Sequence, residues 1–165
     1  MRRHWRLIVL ALSVLVMCAC EDTTFRSSVP AYPVRISIDT RIGQFVHFQP
    51  TDLNSNIVVN KGGYFFNGNY VLPFAATDAC GYGGVVVFVS MNGYIAYDLA
   101  CPHCASKQLC RPCYIDGMYA VCPECSEEYD LTSGYAIPQH GISHEAMRRL
   151  DIRDVGGKLT ISQMP

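Results

Sequence analysis

The chain has 165 residues, with 13 basic against 14 acidic side chains, nine cysteines and an apolar share of 50%. That length holds one domain with its own core. The balanced charge, with no basic stripe, argues against a nucleic-acid partner.

The first residues read as a targeting segment. Arg2, Arg3 and Arg6 precede an apolar run, Leu7 to Met17, that is too short to span a bilayer comfortably. The run ends at Cys18-Ala19-Cys20. A small residue before a cysteine at this point resembles a bacterial lipobox. Cys20 is the expected acceptor, because Ala19 precedes it and bulky Met17 precedes Cys18. Residues 1–19 then form a lipoprotein signal peptide, and the exported protein is held to the membrane of the bacterial cell envelope by lipid on Cys20. A plain secretory signal is the alternative. Residues 20–33 lack periodicity and read as anchor and tether.

The domain, residues 34–165, has an all-β pattern. Val34 to Asp39 alternates as a half-buried strand. Phe45 to Phe48 and Ile57 to Val59 are short apolar runs. Gly62-Gly63 breaks the chain before Tyr64-Phe65-Phe66, and Asn67-Gly68 is a turn signal. The continuous run Val85 to Val89 reads as a buried strand. Asn92-Gly93 turns the chain into Tyr94-Ile95-Ala96-Tyr97-Asp98. Asp116-Gly117 marks a further hairpin tip, and Leu150 to Ile152 and Leu159 to Ile161 flank Gly156-Gly157 in a terminal hairpin. Only Ser143 to Arg149 could make a helical turn. The many tyrosines fit a sandwich core and rim.

Two segments carry chemistry. Cys101-Pro-His-Cys104 and Cys122-Pro-Glu-Cys125 are Cys-x-x-Cys pairs separated by a hairpin-length segment. Each pair can put two thiolates on one tight turn, and the hairpin between them brings the turns face to face. Four such sulfurs make a cage for zinc or iron. Proline after the first cysteine of each pair fits a rigid turn whose amides point at sulfur. The competing expectation is disulfides, because export favours cysteine pairing. Once Cys18 and Cys20 are set aside, however, Cys80, Cys101, Cys104, Cys110, Cys113, Cys122 and Cys125 are odd in number, so disulfides cannot satisfy them all. Cys110-Arg-Pro-Cys113 is a possible disulfide stapling the hairpin between the metal turns. It could instead be a redox pair with a thiol activated by Arg111.

The order of parts adds to this. A hairpin enters Cys101-Pro-His103, a short hairpin leads to Cys122-Pro, and Tyr129-Asp130, Thr132-Ser133-Gly134 and a closing Gly156-Gly157 hairpin follow. This order resembles the Rieske domain, and more specifically the small Rieske-like lipoproteins of bacterial envelopes. The resemblance implies an antiparallel β-sandwich with a small metal-binding lobe of two Cys-Pro turns, about residues 99–130, holding a [2Fe-2S] cluster. It implies Cys101, His103 and Cys122 as ligands, with Cys125 standing where a second histidine belongs. A thiolate there adds negative charge and should lower the reduction potential. Surface histidines His140 and His144 could supply a missing imidazole. The implied function is electron transfer to an envelope redox partner, by a carrier rather than an enzyme. The alternative is a structural zinc site on Cys101, Cys104, Cys122 and Cys125, or a metal-free disulfide-stapled interaction protein.

Overall fold

A computed structural model of the chain describes residues 26–163. The expected signal peptide, residues 1–19, and Cys20 lie outside the described residues. Among those residues, no helix is long and apolar enough to cross a membrane.

The fold is all-β, and every strand pair is antiparallel. Among the described residues there are thirteen strands: β1 (Val34–Asp39), β2 (Asn56–Asn60), β3 (Gly63–Phe66), β4 (Asn69–Leu72), β5 (Ala79–Cys80), β6 (Val85–Ser90), β7 (Gly93–Asp98), β8 (Tyr114–Asp116), β9 (Tyr119–Val121), β10 (Glu128–Asp130), β11 (Ile137–Pro138), β12 (Arg149–Val155) and β13 (Lys158–Gln163). Nine of them form one sheet in the order β4-β3-β2-β6-β7-β12-β13-β1-β5, and four form a second in the order β11-β10-β9-β8. β12 is the corner of the large sheet. Arg149 and Leu150 pair with β7, and Asp151 to Val155 pair with β13. The two halves of the sheet therefore close on each other, and Ile36, Ile38, Ile57, Val59, Leu159 and Ile161 meet in one core.

β6 explains how this core joins the rest of the molecule. Its side chains alternate between two faces. Val85, Val87 and Val89 enter the sandwich core, while Val86 and Phe88 enter a second core with Tyr97, Tyr129 and the cysteines. Both faces are buried, so the strand reads as an unbroken apolar run.

Turn chemistry sets the hairpin registers. Asn67 and Gly68 have φ of 46° and 81° between β3 and β4, the pair of positive values that a two-residue hairpin turn requires. Gly156-Gly157 does the same between β12 and β13.

Three local expectations change. Ser143 to Arg149 makes no helix, because the carboxylate of buried Glu127 captures the Ser143 amide and the Ser143 hydroxyl accepts from the Glu145 amide. The apolar run that begins at Phe45 opens on a single 3₁₀ turn, Gly43–Phe45, outside the segment expected to turn helically. The end of the segment read as a tether is fixed to the domain. Val29 is fully buried beside Ala100 and Ala105, its carbonyl accepts from Arg148 Nε at 2.6 Å, and Ser28 bonds to Glu145.

Candidate metal centre

The four-stranded sheet carries the lobe. β7 delivers the first cysteine turn, and Asp98 fixes the delivery. Its buried carboxylate accepts backbone N–H bonds from Tyr82 at 2.7 Å, Gly83 at 2.9 Å and Ala100 at 2.9 Å. Gly83 permits this by packing directly on the Ala100 backbone, where a Cβ would collide.

The chain then forms one helical turn, α1 (Pro102–Ala105), with Cys101 at its N-cap. Pro102 suits this first helical position, since its fixed φ matches the helix and no amide there is needed. Residues three apart share a helix face, so Cys101 and Cys104 point the same way. His103 points elsewhere, with its Nε2 2.9 Å from Lys107 Nζ one turn on. The second turn is closed by Ser126 N donating to Cys122 O at 2.9 Å and Cys122 N donating to Glu127 O at 3.0 Å.

These turns bring together the sulfurs of Cys101, Cys104, Cys122 and Cys125, all within 4.8 Å of one another. Cys101 and Cys125 are 3.7 Å apart, as are Cys104 and Cys122. The first three residues of this group, Cys101, Cys104 and Cys122, are buried, while Cys125 is half-buried at the rim. His103 is the member of the Rieske-derived set that stays out of the cluster, because the same helical turn that aims Cys104 inward aims His103 along the surface. His140 and His144 are exposed, and His140 Nε2 pairs with Glu128 at 3.2 Å.

Two partners of Cys101 have no simple sequence signal. The Tyr129 hydroxyl lies 3.4 Å from its sulfur. Cys113 also bonds to it, reached through an antiparallel bridge between Ala100 and Pro112. Cys101 N donates to Arg111 O and Cys113 N donates to Leu99 O, which puts Cys101 and Cys113 on one side of that bridge. Cys110, three residues before Cys113, falls on the other side, where its thiol donates to Tyr82 O at 3.2 Å. The possible Cys110–Cys113 disulfide is therefore not formed, and both are free thiols. Arg111 pairs with exposed Glu124, and burial pushes the Cys110 thiol up, which disfavours a reactive thiolate there.

The electrostatics call for a cation. The hydrogen bond from Cys113, followed by those from Tyr129 and the Cys104 amide, overcomes burial and holds Cys101 down to about 4. Burial and this neighbouring charge push Cys104 upward. Burial raises Cys125 to about 11, although the Glu127 amide donates to its sulfur. One thiolate forms readily, and each further one is resisted by those already charged. A thiophilic cation removes that conflict. As a donor set, four converging sulfurs fit zinc or thiolate-bound iron. The imidazole share of the Rieske set is missing from the cluster.

No protein-family model matches the chain, and no curated protein is similar to it. Solved structures similar to the chain include the following two. One, from the complex of reduced oxygenase and oxidized ferredoxin in carbazole 1,9a-dioxygenase, has a TM-score of 0.44 and 10% identity, covering 81% of this chain and 94% of its own. The other, the Sphingomonas yanoikuyae B1 ferredoxin, has a TM-score of 0.41 and 12% identity, covering 71% of this chain and 94% of its own.

Proposed function

We propose that this protein is a Rieske-like electron carrier of the bacterial envelope, anchored through lipid on Cys20, with a thiolate-bound iron centre in its cysteine lobe. One observation carries the reading: four cysteine sulfurs on two Cys-Pro turns converge within 4.8 Å. Cys101, Cys104, Cys122 and Cys125 would hold the iron, which supplies one-electron chemistry when bound. The protein's own contribution is the surroundings. The amides of Cys104 and Glu127 and the hydroxyl of Tyr129 donate to sulfur and temper its negative charge. Half-buried Cys125 leaves one sulfur close to the surface, where a redox partner could approach. Protein purified without air and then oxidised should be red to brown and should bleach on reduction. A protein that stays colourless after oxidation would remove the electron-transfer role.

A second reading, a structural zinc site, is favoured by a different observation. Cys101, Cys104 and Cys122 lie in the second core with Tyr97, Tyr129 and Leu131, so an ion there would tie the lobe hairpins to the sandwich. Zinc in the purified protein, with unfolding on chelation, would support this role.

A further inference from the structure

The cage has a size as well as a composition, and the inference from it deepens the thiolate-centre reading on which it rests. Four thiolates placed tetrahedrally around one ion, with bonds of about 2.3 Å, stand roughly 3.8 Å apart. The Cys101–Cys125 and Cys104–Cys122 separations are both 3.7 Å. These two contacts alone would also suit a two-iron centre, with each pair on its own iron. The remaining separations decide. In a two-iron centre with four cysteines, the second iron and the bridging sulfides stand between the pairs and hold them well beyond a tetrahedral edge. Here no two of the four sulfurs are more than 4.8 Å apart.

The surroundings leave little room to expand. Tyr129 and Cys113 press on Cys101, and both are buried. The first turn is closed by Ala105 N to Cys101 O at 2.9 Å, and the second by Ser126 N to Cys122 O at 2.9 Å. Spreading Cys101 from Cys104 and Cys122 from Cys125, as bridging sulfides between the two pairs require, would strain these bonds, which also set the direction of the cysteines. We propose that Cys101, Cys104, Cys122 and Cys125 hold a single metal ion without inorganic sulfide. The lobe then keeps the order of Rieske turns while using the coordination of a one-ion, four-thiolate site.

The test is metal and acid-labile sulfide analysis on full-length protein purified without air. The expected result is one ion per chain and no sulfide. Two irons with two sulfides would overturn the single-ion assignment and leave the electron carrier standing. One zinc would do the reverse, supporting the single ion and ending the electron-transfer role. Protein that holds no metal would overturn both. A second measurement avoids dependence on the metal acquired in the cell. Cobalt(II) added to the reduced, metal-free full chain should give the absorption of tetrahedral thiolate coordination and saturate at one equivalent. Saturation at two equivalents would count against the proposal.

Discussion

The Tyr129 hydroxyl lies 3.4 Å from the Cys101 sulfur, at a point where both residues are fully buried. Burial, then the hydrogen bond to Cys101, pushes the phenol upward, so it remains a donor at every ordinary pH. A donor to sulfur favours the more negative, reduced state of an iron centre. Tyr129→Phe should therefore lower the reduction potential. One hydrogen bond of about 1 kcal/mol corresponds to roughly 40 mV for one electron. Voltammetry of the two proteins checks this, with metal content expected to be equal.

Substitution within the first turn separates the two ligand sets. Cys104→Ser should lose most of the bound metal, because its sulfur is 3.7 Å from Cys122 inside the cage. His103→Ala should retain it, because the imidazole faces Lys107. Metal-to-protein ratios after gel filtration give the answer. The reverse pattern would restore the imidazole as a ligand.

Metal affinity should fall on acidification. Ligand thiols must lose protons to bind. In the metal-free centre Cys125 stands at about 11 and Cys104 is also raised, so the ion must displace protons from them at neutral pH. Their folded-state values lie above the ordinary thiol range, so binding strengthens as pH rises toward those values and weakens below. Cys101, held at about 4, is the last of these to be protonated. Competition against a chromophoric chelator across pH measures the slope. A flat profile would contradict the assignment.

Asp98→Ala should destabilise the domain. It would leave the amides of Tyr82, Gly83 and Ala100 without their acceptor. At about 1 kcal/mol or more for each unmet donor, the loss is about 3 kcal/mol. Asp98→Asn, which keeps one oxygen acceptor, should cost less. Denaturant midpoints of the three proteins test the ranking.

Gly83→Ala should act on the same junction through volume rather than charge. The added methyl would meet the Ala100 backbone, one residue before Cys101. Both stability and metal retention are expected to fall, as read by thermal unfolding and metal analysis.

The elements that were legible in the sequence are those set by local rules. The continuous run Val85 to Val89 implied burial on both faces, and β6 is buried on both. Two Cys-x-x-Cys pairs around a hairpin implied converging sulfurs, which follows from turn geometry alone. The parts that were not legible depend on pairing between distant segments. Cys113 reaches Cys101 only because Ala100 bridges Pro112. Strand alternation then separates Cys113 from Cys110, although the two are close in sequence. Asp98 and Glu127 looked like ordinary acidic residues, yet each gathers amides from a remote loop. His103 was drawn into the ligand set by motif order, whereas one turn of helix decides which side chain faces inward.

The docking of Val29 against Ala100 and Ala105 bears on where this protein can work. Ala105 closes the helical turn that carries Cys101 and Cys104, so the N-terminal segment joins the domain on the back of the cysteine turn. With the proposed acyl group on Cys20, only eight residue steps separate the lipid from Ser28, a reach of at most about 28 Å. A leash of that length would keep the cysteine lobe in the zone just above the bilayer. Partners embedded in the same membrane, or resting on it, would then be within its range. Proteins free in the surrounding compartment would have to come down to meet it.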